Sequence, residues 1–137
     1  MATGEMSHEI RFGGGGPEDV LITTRGHSSI EGLDAMVQAA LGDPRYRPGM
    51  RVLIDHSRLE WPELATDELR RRVDLFVRDS DRIGAGYIAI VVGQPAAFGY
   101  MRMMQAFGEH RVAFEPGVFY SIEDARAWLA DQPPPSG

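Results

Sequence analysis

Polar and apolar positions alternate near the start of the chain and then settle into a longer rhythm. Residues 8–12 alternate weakly, residues 13–17 (GGGGP) break the pattern, and residues 19–24 (DVLITT) are rich in β-branched side chains. This predicts two strands joined as a hairpin. Ile30, Leu33, Val37, Ala40 and Leu41 then recur at helical spacing and form one apolar stripe. Ser28, with Glu31 three residues on, has the pattern of a capping box. Gly42 and Pro44 supply the stop. Residues 51–55 (RVLID) are a short apolar run, as expected of a strand covered on both faces of a parallel sheet.

Residues 61–65 predict an irregular connection. Thr66 stands where an N-cap is expected, with Asp67 and Glu68 set against the positive end of the helix dipole. Leu69, Val73, Phe76 and Val77 form the inward stripe of a second helix, and Arg70, Arg71 and Arg72 fall largely on its other side. Residues 87–92 (YIAIVV) make the strongest strand, expected at the centre of the sheet. Gln94-Pro95 opens a third helix running to about His110, and residues 111–114 predict a short strand. Ser121, with Asp124 three residues on, caps a last helix whose Ile122, Ala125, Trp128 and Leu129 face inward. The order β-β-α-β-α-β-α-β-α predicts an α/β fold: a mostly parallel central sheet, packed helices and right-handed crossovers.

Composition narrows the class. The chain has 137 residues, enough for one domain. Its 43% hydrophobic and 25% charged residues argue against a disordered chain. The expected layout is a flexible N-terminus at 1–7, one domain at 8–131, and a disordered tail at 132–137 (QPPPSG). A net charge of -6 argues against nucleic acid as a partner, because the phosphate backbone rewards a basic face. The lack of cysteine excludes disulfides, thiolate metal sites and cysteine nucleophiles. Lys is also absent, which excludes Schiff-base chemistry on a lysine and a P-loop lysine. The longest apolar stretch, 87–92, is too short to span a bilayer, and the first residues carry no apolar run behind a basic start. The expectation is a cytoplasmic protein with no integral membrane segment.

Few constellations carry chemistry. Asp55, His56 and Ser57 are the residue types of a hydrolase triad, and they end a predicted parallel strand, where α/β folds place their sites. Adjacency defeats them, because neighbours on a strand point to opposite faces. Asp55 or Ser57 is expected to hydrogen-bond the loop that follows. His8, His27, His56 and His110 show no short metal-binding spacing, so no metal and no cofactor are expected. The glycine clusters at 13–16 and 84–86 read as turns rather than phosphate loops. Arg70, Arg71 and Arg72 lie beside Glu68 and Asp74, which balance them, with no aromatic residues interleaved.

The third helix is the most informative segment. Ala97, Phe98, Tyr100, Met101, Met103, Met104 and Phe107 cover well over half of its circumference, more than a helix lying on a sheet requires. A neighbouring helix, a second subunit or a ligand must cover the excess, and methionine suits surfaces that accept varied partners. Tyr100, Met101, Met103, Met104 and Phe107, with Trp61 as an aromatic anchor, are the candidate partner or ligand face. In the ligand version, Met101, Met104, Phe107, Trp61 and Phe76 line a cavity beside the sheet, and Tyr100 or Arg102 holds a carboxylate head.

Four segments taken in order resemble a known group: DPRYRPG at 43–49 running into MRVLID at 50–55, AIVVGQPAAFGYMRMM at 89–104, and IEDARAWL at 122–129. Together they resemble the bacterial STAS-like, SpoIIAA-like family, also described as STAS/SEC14-like domains, over about residues 8 to 130. The resemblance implies a central sheet with helices packed on it. Relatives of that fold include anti-sigma-factor antagonists, which bind a protein partner and are switched by phosphorylation of a Ser or Thr. Others of similar shape bind lipids in an apolar cavity. The antagonists carry an Asp-Ser-Ser-Gly-like turn where this chain has Glu63-Leu64-Ala65-Thr66-Asp67, so the double Ser and the Gly are missing. Thr66 and Ser57 are the nearest candidate phosphoacceptors, and a phosphate on Thr66 would sit against Asp67 and Glu68. The expectation is a non-enzymatic, STAS-like interaction module that binds a protein partner or itself as a dimer. The alternative is a small apolar-ligand or lipid-binding protein.

Overall fold

The computed structural model describes residues 4–133. The ends of the expected flexible N-terminus and tail, residues 1–3 and 134–137, lie outside the described residues. In chain order the elements are β1 (Ser7–Phe12), β2 (Val20–His27), α1 (Ile30–Gly42), β3 (Val52–His56), β4 (Leu59–Glu60), α2 (Thr66–Arg78), α3 (Ser80–Ile83), β5 (Tyr87–Val92), α4 (Pro95–Phe107), β6 (Glu115–Phe119) and α5 (Ile122–Asp131). The sheet runs β1-β2-β3-β5-β6, with β4 added to the end of β2. β1 is antiparallel to β2, as a hairpin requires, and the other pairings are parallel.

Strand alternation divides the core into layers. Val20, Ile22, Val52, Ile54 and Ile88 point to one face of the sheet and pack on Leu33, Met36 and Val37 of α1. Val92 joins Ala97 and Met101 of α4 on that same face. Leu53, Ala89 and Val91 point the other way, onto Ala125 and Leu129 of α5. β3 is the middle strand and all five of its residues are buried, which is why its sequence reads as a continuous apolar run. β5 is interior too, but it stands one strand from the β6 edge rather than at the centre.

Several local expectations are corrected. The N-cap of α1 is Ser29, whose Oγ accepts from the Gly32 N–H at 3.0 Å. Ser28 is buried and turns inward to accept from Arg72. Thr66 heads α2 but caps nothing: Ala65 holds the cap position without a side-chain bond, leaving Asp67 and Glu68 to answer the helix dipole. Arg72 is only 2% exposed, because 69, 72, 73 and 76 form the inward stripe and Arg72 belongs to it. The last strand lies at Glu115–Phe119 rather than 111–114. Two hydrogen bonds commit the earlier stretch elsewhere, Arg111 N–H to Gly108 C=O and Ala113 N–H to Ser80 Oγ. α4 stops at Phe107, short of His110, and β4 and α3 are additions of a few residues each.

The N-terminal segment is tied along β2. The Gly4 C=O accepts from the His27 N–H at 2.9 Å, and Met6 packs against the α1 core. Gly26 allows this approach: its φ is +90°, and a Cβ there would stand 2.1 Å from the Glu5 carbonyl oxygen. Among the described residues, no helix is long and apolar enough to cross a membrane.

Candidate functional site

Two places on the α1/α2/α4 side of the sheet gather the side chains that the sequence singles out. The first is the C-terminal end of β3. Strand alternation sends His56 beneath α2 and Asp55 to the opposite face, beside Thr23 of β2. Asp55 Oδ1 accepts the Ser57 N–H at 2.9 Å, so its carboxylate shapes the turn that follows, as expected. Ser57 is exposed on that turn. The three residues do not converge.

His56 is 3% exposed, and its Nδ1 lies 2.7 Å from the Thr24 hydroxyl. Thr24 Oγ1 also lies 3.2 Å from the Asp55 carbonyl oxygen, to which it donates. The Thr24 hydroxyl and His56 Nδ1 share a hydrogen bond whose direction follows the imidazole tautomer. Burial holds the imidazole neutral, lowering its pKa from the usual 6.5 to about 4; Asp55 opposes that shift and the Arg72 charge reinforces it. The Trp61 ring packs edge-on to His56 with centroids 5.9 Å apart, and the Arg72 guanidinium lies 5.8 Å from the Trp61 ring centre. Burial also lowers the pKa of Arg72, against the charges of Glu68 and Glu31. Its Nη1 donates to Ser28 Oγ, and its nearest carboxylate is Glu68 at 3.7 Å. Among the described residues, Trp61 Nε1 and Arg72 Nε are buried without a hydrogen-bond partner. His56 is a neutral imidazole that Trp61 covers and Thr24 holds, packed inside the fold.

The second place is α4. Ala97 and Met101 are buried against Val92. Phe98 stacks on Tyr120 at 4.5 Å and 11°. The Tyr100 hydroxyl accepts the Leu64 N–H at 3.0 Å, and the Phe107 ring lies under the Arg70 guanidinium at 4.4 Å. The wide apolar arc of the helix is therefore shared among the sheet, α2, the 61–65 connection and the end of β6. Met103, 40% exposed, is the large apolar side chain of α4 left facing out.

Below α4 the packing leaves a groove of about 660 Å³. Val73 and Phe76 of α2, Ile90 of β5, Met101 and Met104 of α4 and Val118 of β6 make its apolar walls. Arg102, Glu109, His110 and Glu115 also line it, and Gln105 Nε2 ties α4 to the Pro116 C=O of β6 at 2.8 Å. The structure thus brings Met101, Met104 and Phe76 to one cavity and sets Phe107 and Trp61 outside it. Tyr100 is turned to Leu64, which leaves Arg102 as the arginine on the groove. Little in the sequence marks Val118 and Gln105 as groove residues. Pro116 and Gly117 are weak strand formers and mask β6, although proline is tolerated on an edge strand.

No protein-family model matches the chain, and no curated protein matches it. Among solved structures it is similar to an uncharacterized protein from the DUF3478 family of Shewanella loihica PV-4, described as having a SpoIIAA-like fold. The match covers 94% of this chain and 98% of the other, with a TM-score of 0.59 and 18% sequence identity. The fold is SpoIIAA-like. At this identity the likeness speaks for architecture alone. Within the SpoIIAA-like frame, the groove is formed by the α4 crossover, the α2 helix and the strands beneath them.

Proposed function

We propose that this SpoIIAA-like chain is a non-enzymatic binding module whose groove under α4 takes a small apolar ligand. The groove carries the reading. Its volume of about 660 Å³ falls among ligand sites, which span roughly 300–1,000 Å³ and are mainly apolar with a few polar groups. Two of its walls are methionines, whose flexible side chains adapt to a guest. Arg102 is the group that would meet an anionic head. The divergence of Asp55, His56 and Ser57 supports binding without catalysis.

Native mass spectrometry of gently purified protein tests this, together with thermal unfolding against a panel of fatty acids and isoprenoids. The expected result is a retained mass of a few hundred daltons, or stabilisation of about 2.7 kcal/mol at one hundred times Kd. A bare 15.1 kDa chain that gains nothing from the panel overturns the reading. Exposed Met103 favours a second reading, self-association through α4. Met103→Glu would then return a dimer to the monomer mass, and an unchanged mass rejects it.

A further inference from the structure

We propose that residues 100–110, the outer part of α4 with the turn that follows, form a gate over the groove, hinged at Gly99 and released at His110. Gly99 sits inside α4, where glycine weakens a helix because its backbone has more freedom to lose. Packing does not require it: a Cβ built there would meet nothing within 4 Å. The helix therefore carries a weak point without a steric reason, directly before Met101 and Met104 of the groove wall. At the far end, His110 has a φ of 66° and is the non-glycine residue with positive φ among those described. That conformation strains an L-residue, and movement of the segment relieves it.

The segment is held by side-chain contacts to the 61–65 connection, to α2 and to β6, two of them part-buried hydrogen bonds. Gln105 bonds to Pro116, Tyr100 to Leu64, Arg111 to Asp74, and Arg70 lies over Phe107. The Arg111–Asp74 pair is exposed and holds little. The largest cost of opening is the burial of Met101, which keeps the open form a minor state in exchange with the closed one. Opening would swing Met101, Met104 and Gln105 away from β5 and β6 and admit a guest too large to slip past the Gln105–Pro116 bond. The gate rests on the ligand reading for its purpose, but its hinge can be measured without a ligand.

Two measurements test it, native-state hydrogen exchange and stopped-flow binding of 1-anilinonaphthalene-8-sulfonate. The expected result is that the amides of 101–110 exchange together through an opening that leaves β3 and β5 protected. Gly99→Ala should slow that exchange about fivefold, the helix-propensity difference between the two residues. It should slow association and dissociation of the dye by the same factor and leave Kd unchanged, as for a guest that passes a gate. Gln105→Ala should speed all three. Exchange of 101–110 only together with the β3 and β5 amides overturns the gate, as do dye rates that ignore Gly99→Ala. If the dye does not bind the parent protein, the ligand reading falls, and the exchange pattern alone decides the hinge.

Discussion

The end of β3 and the underside of α4 lie on the same face of one sheet, and they use their side chains in opposite ways. At the end of β3, polar and aromatic groups are packed tightly: His56 under Trp61, Thr24 against His56, Arg72 turned inward to Ser28. Under α4, apolar groups that could have closed on one another leave a groove of about 660 Å³. The residues with the more chemical appearance are spent on structure, and the room lies among methionines and aliphatics. Reactive residue types mark a site only where geometry gathers them around space; here the space and the reactive types are apart.

The sharpest way to break this contrast is to truncate one side chain in each region. His56→Ala should cost about 3 kcal/mol in urea unfolding, because it empties a packed position and strips Thr24 of a partner. Met104→Ala, at a wall that already borders open volume, should cost about 1 kcal/mol. Equal losses would mean that the groove is as tightly packed as the strand end.

Acid provides the next test. The imidazole has a folded-state pKa of about 4 against a usual 6.5, so the unfolded chain binds a proton between those values and the folded chain does not. Stability from this group is complete above pH 6.5 and falls as the pH drops toward 4. From pH 6.5 to pH 5 the loss should be about 2 kcal/mol. The His56→Ala protein lacks this slope, so the gap between the two proteins should close from about 3 to about 1 kcal/mol over that range. A gap that stays constant would show that His56 is hydrated and that the strand end is open.

The two regions were unequally legible in the sequence. The strands at 52–56 and 87–92 announce themselves because the parallel sheet covers both of their faces, and the sequence carries the apolar run that this demands, while 20–27 shows itself through its β-branched residues. The separation of Asp55 from His56 was also legible, since it follows from strand alternation alone. Arg72 was not: its spacing in the 69–76 stripe marks it as inward, but its charge hides the position, and Ser28, Glu68 and the Trp61 ring are the neighbours that make the burial tolerable. The groove was half legible. Surplus apolar residues on α4 point to something beside the helix, but the volume depends on how α2, α4 and β6 diverge, and β6 contains a Pro-Gly pair of weak strand formers.

The smallest expected effect concerns α2, which connects the two regions: Arg72 serves the strand end, Val73 and Phe76 the groove. Its first residue, Thr66, has the look of a cap, while Ser29 at the head of α1 is one. Ser29 accepts the Gly32 N–H, so Ser29→Ala should cost about 1 kcal/mol. Thr66 is exposed and makes no cap bond, so Thr66→Ala should change stability by less than about 0.5 kcal/mol. Urea unfolding of both variants makes the comparison, with Ser121→Ala as a second true cap that should behave like Ser29→Ala. A loss of about 1 kcal/mol at Thr66 would mean that its hydroxyl turns back onto the first turn in solution. The start of α2 would then be held as firmly as that of α1, and the groove-lining stretch of α2 would begin from a fixed end rather than an uncapped one.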